Sequence, residues 1–304
     1  MNAKTTDKVW TGVFYIIASL VVLLLLFLLV VILYKGWKFW DVNFLIGASS
    51  DTQAGGGIGA QLFNSFYILI LTLIISVPIG LGAGIYLAEY AKSGRFLEFL
   101  RLCIETLASL PSIVVGLFGL LVFVTMTGWG YTLIGGALAI TILNLPSLTR
   151  VCETALLDVP KISKEGSLGL GATKWQTIVK ISIPSAIPQL ITGVILAAGR
   201  IFGEAAALIY TAGLATPFLN GSAPINTPLN PFNIFRPAET LAVHIWKLNS
   251  EGIVPDAQAI ASKSAAVLIV MVLVFNLCAR LFAKYLHRRF TGTKRKSKFI
   301  KRPL

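Results

Sequence analysis

Apolar residues in this chain gather into long runs, and six of the runs are long enough to cross a bilayer as helices. The first covers about Trp10 to Tyr34, with Trp10, Trp37 and Trp40 where amphipathic rings anchor a span. The second covers about Ala60 to Glu89 and holds Pro78 and several glycines that bend or loosen a helix. The third covers about Leu107 to Met126, and a tight turn around Gly128-Trp129-Gly130 leads into the fourth, about Tyr131 to Leu148. A polar segment from Thr149 to Pro184 precedes the fifth, about Pro188 to Gly213, and the sixth covers about Ser264 to Leu286. The pattern predicts an all-α polytopic membrane protein with six transmembrane helices.

Charges inside such runs are few, so each carries weight. Arg200 lies midway along the fifth run, which as one helix would be ~39 Å long. Glu204 follows four residues later, so an unbroken helix puts both side chains on one face. Hydrocarbon offers an ionised group no partner, which makes the pair a candidate functional site.

Composition strengthens this reading. Charged residues are 13% and hydrophobic residues 56% of the 304, far from the balance of a soluble domain. One membrane domain is expected over 1–304. It comprises a first span and outer loop (1–59), a core (60–213) containing a cytoplasmic loop (150–184), an outer loop (214–263), a last span (264–288) and a basic tail (289–304). The first run is too long for a signal-peptide core and no small-residue cleavage site follows it, so it is expected to stay as a span. Cys103, Cys152 and Cys278 show no metal-ligand spacing and read as buried small hydrophobes.

The net charge of +13 is distributed unevenly. With a cytoplasmic N-terminus, twenty of the 26 Lys and Arg fall inside, five outside (Lys35, Lys38, Arg236, Lys247, Lys263), and Arg200 in the membrane. The positive-inside rule selects that orientation, with both termini cytoplasmic. The tail from Lys294-Arg-Lys-Ser-Lys then reads as an anchor beside anionic lipid, not as a nucleic-acid site.

Outside, Leu214 to Lys263 opens as a Pro/Asn/Gly loop in which 216–237 carries no assignable feature, and continues as an amphipathic helix over Glu239 to Leu248. Inside, a short helix from about Lys161 to Leu170 should end at Gly171. Thr173 and Gln176 fit a capping box that starts a second helix, expected to stop before Pro184. Leu168, Leu170, Trp175 and Ile178 are then available to pack or dock, so the hairpin is either a connector or a docking element. Among the remaining polar residues, Glu89 reads as an interfacial cap, Arg101 and Glu105 as a surface pair four residues apart, and His244 and His287 as structural or solvated.

The spacing Glu-x5-Gly-x9-Ile-x-Ile-Pro at Glu165, Gly171, Ile181 and Pro184 resembles the EAA loop of bacterial ABC-importer permeases, with Gly166 and Ser167 where that loop usually has two alanines. Further stretches are similar to the phosphate-importer permeases of PstA type. They are Gly55-Gly-Gly-Ile-Gly, Val77-Pro-Ile-Gly, Ile85-Tyr-Leu-Ala-Glu-Tyr, Glu105-Thr-Leu-Ala-Ser-Leu-Pro-Ser, Leu145-Pro, Gly171-Ala-Thr-Lys-Trp-Gln-Thr and Gly199-Arg-Ile-Phe-Gly-Glu-Ala. The resemblance implies the ABC type I importer permease fold in a bacterial cell membrane. It implies an ATPase contact through Glu165, Gly171, Ala172, Trp175, Ile181 and Pro184, and a substrate path through Arg200 and Glu204. Its implied partners are a PstC-type second permease, a PstB-type ATPase dimer, an extracytoplasmic PstS-type phosphate-binding protein, phosphate and membrane lipid. No GxxxxGK[ST] occurs in the chain, so ATP and Mg belong to the partner ATPase and this subunit is expected to be non-catalytic, without a cofactor of its own.

In that reading the fixed fork of Arg200 meets two phosphate oxygens, while Glu204 pairs with it in the empty state or accepts from a protonated phosphate oxygen. A static ion pair between helices is the plainer alternative. Competing functions are a permease for sulfate or molybdate and an ion-coupled secondary transporter. The latter calls for paired broken helices in inverted repeats, which the sequence does not display. A membrane enzyme has no nucleophile–base set or metal motif to support it.

Overall fold

The computed structural model describes residues 3–37, 41–50, 54–252 and 254–291, with side chains as far as Tyr285 in the last stretch. Lys38, Trp40, the tail from Lys294 and the side chain of His287 lie outside the described residues. Every regular element among the described residues is helical. Five helices are long and apolar enough to cross a membrane, and a pair bent by 92° makes a sixth span if counted together.

The chain divides into two compact units, residues 1–59 with 245–270 and residues 60–244 with 271–304. In the first, α1 (Ala3–Lys35) has the highest mean hydropathy of the candidate spans, 3.6, and none of that stretch is buried. It ends at Gly36, where a Cβ would lie 2.5 Å from Ala266 Cβ, so glycine lets α1 close on the last helix. The short α2 (Val42–Ile46) is capped by Asp41, which accepts from the Asn43 N–H at 3.1 Å. The glycine-rich lead-in folds back on it. Gly57 donates to Ala48 O at 2.8 Å, and a Cβ on Gly57 would strike the Gly47 backbone at 2.5 Å.

The second unit is built around α6 (Leu133–Leu157). This helix is nine residues longer at its C-terminus than the apolar run suggests, because Arg150 and Glu153 find ionic partners and need not lie in a loop. α3 (Gly59–Ile85) continues as a π-helical turn over Tyr86–Tyr90 and packs on α6 through small residues. A Cβ on Gly80 would meet Leu148 Cγ at 3.0 Å, and one on Gly84 would meet Cys152 Cβ at 2.5 Å. α4 (Arg95–Ala108) is strongly amphipathic, and Pro111 precedes the sharply turned α5 (Ser112–Gly119), whose π-helical extension runs Leu120–Met126. The run expected from Leu107 to Met126 is therefore broken, with α4 ending at Ala108 and α5 starting at Ser112. The pair expected between Arg101 and Glu105 does not form. Arg101 instead reaches Glu153 on α6, and Glu105 is taken by Arg150.

α7 (Lys161–Gly169) and α8 (Lys174–Thr177) form the expected hairpin. The second helix does not stop at Pro184. A π-helical stretch, Ile178–Ser182, carries it into α9 (Ile183–Gly203), and Pro184 occupies the first turn of α9, where a missing N–H costs little. The fifth span also ends earlier than its apolar run. Glu204 has extended backbone (φ −75°, ψ 123°), and the chain restarts as the short α10 (Ala206–Ile209). α10 lies close against α5, since a Cβ on Gly116 would meet Ala207 Cα at 2.8 Å. The amphipathic segment expected over Glu239 to Leu248 is α11 (Leu241–Glu251), and its Leu241, Val243 and His244 are buried, not laid on a surface. The last span, α12 (Ala257–Thr291), is longer at both ends than its apolar run.

Candidate functional site

Two ends of α6 and its middle carry the polar chemistry. At its C-terminal end, the α7–α8 hairpin is shaped by two local devices. Gly171 has φ +84°, and Gly171 and Ala172 donate to Leu168 O (2.9 Å) and Ser167 O (3.2 Å), the double bond of a Schellman stop. Thr173 then opens α8 with both halves of a capping box, Gln176 N–H to Thr173 Oγ1 at 3.3 Å and Thr173 N–H to Gln176 Oε1 at 2.9 Å.

The hairpin is tied down at few points. Lys164 Nζ donates to Glu89 Oε1 at 2.7 Å and to Leu156 O at 2.8 Å. Ser182 Oγ also donates to Glu89 Oε1, at 3.4 Å, so this one carboxylate links the π-helical turns of α3 and of the α8–α9 segment. Ser167 and Thr177 share a hydroxyl hydrogen bond of 3.0 Å across the hairpin. Beneath it, Ile178 packs with Ile85, Leu156, Val159 and Ala186. Glu89 is thus a tie to the hairpin, where the sequence suggested only an interfacial cap.

The other face of the hairpin is bare. Leu170 is 91% exposed and Trp175 58% exposed, beside exposed Leu168 and Val179. Of the six residues expected at an ATPase contact, Glu165, Gly171 and Trp175 are exposed, and Ala172, Ile181 and Pro184 are half-buried. An apolar patch on a polar connector marks an interaction surface.

Next to it lies an ionic network that the sequence did not reveal. Glu153, only 2% exposed, receives Arg101 through Nε at 2.9 Å and Nη2 at 2.5 Å, and Arg150 through Nη1 at 3.4 Å. Arg150 also holds Glu105. The signal was present, since Arg150 and Glu153 stand one turn apart, but their partners sit 45 and 52 residues away.

At the N-terminal end of α6 the 214–240 loop is anchored by buried polar groups. Arg236 is fully buried, donates to Pro231 O, Pro237 O and Asn64 Oδ1, and its guanidinium is pulled down to about 10 by burial, which still leaves it charged at neutral pH. Glu239 accepts from Gln61 Nε2 at 2.8 Å and meets His244 Nδ1 at 3.1 Å.

In the middle, Arg200 is exposed and lies in the last turn of α9, where the negative end of the helix dipole favours a cation. It does not pair with Glu204. Because α9 stops at Gly203 the two share no helix face, and Glu204 Oε1 instead accepts the Ala207 N–H at 3.0 Å, capping α10. Arg200 lines a cavity of about 160 Å³ between α6 and α9, with Asn144 and Ser147 as its other polar residues. Asn144 stands near the centre of α6, roughly 17 Å along the axis from the first residue, so the cavity sits at mid-helix depth. Asn144, a lone amide within an apolar run, was a readable signal that the sequence reading passed over.

Residues 80–292 match the model of the binding-protein-dependent transport system inner membrane component family. The chain belongs to this family. It is a multi-pass membrane permease of the ABC-importer type, a transport subunit. The permease is 53% identical to a probable ABC transporter permease protein, YqgI, of Bacillus subtilis, across 96% of this chain and 100% of that one. It is 32% identical to the phosphate transport system permease protein PstA of Haemophilus influenzae, across 93% and 95%. Among solved structures, a chain of a bacterial ABC transporter involved in the import of the acidic polysaccharide alginate matches with TM-score 0.60 at 16% identity, across 95% of this permease and 98% of that chain. A chain of the MetNI methionine ABC transporter matches with TM-score 0.55 at 17% identity, across 76% and 94%. These likenesses establish the type I importer permease fold.

Proposed function

We propose that this permease is the PstA-type half of an ATP-driven inorganic phosphate importer. The observation that carries the proposal is Arg200, a permanently charged fork at the break of a membrane helix, opening on a cavity at mid-helix depth. Relatives named as phosphate permeases at about a third identity support the substrate. In this reading a PstC-type permease completes the path, a PstS-type binding protein delivers phosphate, and a PstB-type ATPase dimer, which holds ATP and Mg, docks on the hairpin. Glu165, Gly171, Ala172, Trp175, Ile181 and Pro184 form that docking element. The hairpin lies in the cytoplasm with the N-terminus, as its Lys161, Lys164, Lys174 and Lys180 favour.

Arg200 and Glu204 both serve the path, with different tasks. Arg200 meets the anion, and Glu204 sets the break in α9 that leaves Arg200 at a helix end. A single cation binds weakly enough for the ion to leave. The test is Arg200→Gln in the full transporter reconstituted with its binding protein. Phosphate uptake should fall about 100-fold, the loss of a charge-assisted contact worth ~2.7 kcal/mol, while the subunits still co-purify. Uptake at the wild-type rate would refute the path role.

A further inference from the structure

We infer that Asn144 selects among tetrahedral oxyanions by accepting a hydrogen bond from a protonated oxygen of the anion held on Arg200. The inference rests on the transport reading above and adds a specificity-determining residue to it.

The orientation of the Asn144 amide is set by its own helix. Nδ2 donates to Ile140 O at 3.2 Å, and the flipped amide would turn an oxygen toward that carbonyl. Oδ1 is therefore the free end. It is buried and has no hydrogen-bond partner, a state that costs ~1–3 kcal/mol unless something donates to it. Asn144 lines the Arg200 cavity, so a molecule entering there can make good that deficit.

The rest of the lining sharpens the requirement. Ser147, also in the lining, commits its hydroxyl proton to Asn144 O at 3.0 Å, so its oxygen is left with acceptor capacity alone. Gly193, Ala197 and Val151 add apolar wall, and Arg200 is the only charged residue among the lining residues. The polar lining thus consists of one fork of donors and two residues left with acceptor capacity. An oxyanion without a proton satisfies Arg200 and turns a negative oxygen toward Asn144 Oδ1. An oxyanion that keeps one proton satisfies both sides. At neutral pH hydrogen phosphate and hydrogen arsenate carry that proton, and sulfate and molybdate do not. The volume, about 160 Å³, equals about five waters of liquid and takes one such ion with part of its hydration. Glu204, expected either to pair with Arg200 or to accept from a protonated phosphate oxygen, accepts the Ala207 N–H at Oε1 and is not among the residues lining this cavity.

The test uses the assembled transporter in proteoliposomes, with Mg-ADP in the ATPase and no binding protein, so that the binding protein does not select the anion and the second permease is the same for wild type and variant. Weak binding is followed by broadening of the 31P resonance of inorganic phosphate, against vesicles lacking protein. Arsenate should reverse the broadening at roughly tenfold lower concentration than sulfate or molybdate, which is one hydrogen bond's worth of preference. Asn144→Leu should remove that preference, and Asn144→Ala serves if the leucine variant does not assemble. Equal displacement by arsenate and sulfate in the wild type, absence of phosphate broadening, or a preference that survives loss of the amide would each overturn the inference. If binding-protein-driven uptake proves to carry a different anion while the arsenate preference and its loss in Asn144→Leu persist, the phosphate assignment falls and the role of Asn144 stands.

Discussion

The two connectors at opposite ends of α6 solve opposite problems. The 214–240 loop ties its buried polar groups to one another and to α3, through Arg236, Glu239, Asn64 and Gln61, although Gln61 Oε1 is left without a partner. The 161–182 hairpin leaves Leu170 and Trp175 in the open and is held to its neighbours by Lys164, on Glu89 and Leu156 O, and by Ser182 on Glu89. The loop exposes Phe218, Ile225, Phe232 and Phe235 as well, so the two connectors differ in how their polar groups are held. On the hairpin, Leu170 and Trp175 stand exposed on a connector with few polar ties, and they gain by leaving water when something covers them.

That contrast is most easily broken at Arg236. Replacing it with leucine strips the donors from Asn64 Oδ1 and from two carbonyls in a buried setting, at ~1–3 kcal/mol for each group left unpaired. The expected loss is ~3 kcal/mol or more, seen as a fall of roughly 10 °C in the thermal midpoint of the detergent-solubilised protein. An unchanged midpoint would mean that the loop is not held by this network.

Leu170→Asp probes the other end and should do the reverse. The side chain is 91% exposed, so the midpoint should hold, while docking of the ATPase loses up to ~2 kcal/mol of apolar burial, or about 30-fold in affinity. The measurement is retention of the ATPase on immobilised permease. A lowered midpoint with undiminished retention would make the hairpin a structural element like the loop. Gly171→Val asks for less. A β-branched residue at φ +84° costs ~1–2 kcal/mol, and because no atom lies within 4 Å of the added Cβ, the strain is purely backbone. Uptake per ATP hydrolysed in the reconstituted system should fall several-fold.

How much of this was legible depended on whether the deciding interactions were local. The Schellman stop at Gly171 and the capping box of Thr173 and Gln176 could be read because each closes within six residues. Span existence followed from hydropathy, with six runs matching five helices and one bent pair. The errors came where distant partners override a local rule. Arg101 and Glu105 have the spacing of a helix pair, yet Arg150 and Glu153 outbid each for the other. Pro184 looked like a helix stop, yet the chain stays helical through the π-helical stretch and Pro184 falls in the first turn of α9. Arg200 was singled out by its charge alone, but the break that separates it from Glu204 lies within an apolar run that hydropathy cannot subdivide. The loop at 216–237 is ordered by Arg236 on Asn64 and by local turns in which Asn220, Asn230 and Asn233 accept from the N–H two residues on, a signal present in its asparagines but without a periodic mark.

The finest test of the contrast is Thr173→Ala. The hydroxyl caps α8 by accepting the Gln176 N–H, and losing such a cap costs ~1 kcal/mol. In a connector as well satisfied as the 214–240 loop, that amount would vanish into a cooperative unit. In a hairpin with few ties it should surface as local opening, with amides of 174–178 exchanging hydrogen about fivefold faster while the thermal midpoint stays put. The amides of Tyr86–Tyr90 decide how far the disturbance travels. Glu89 is held by Lys164 of the hairpin and by Ser182 of the π-helical stretch, so if those two ties join the elements mechanically, exchange at 86–90 should quicken with the hairpin. If it does not, the hairpin opens without α3, and a disturbance at the hairpin passes to α6 and α9, to which it is joined along the chain, with Glu89 acting only as a tether.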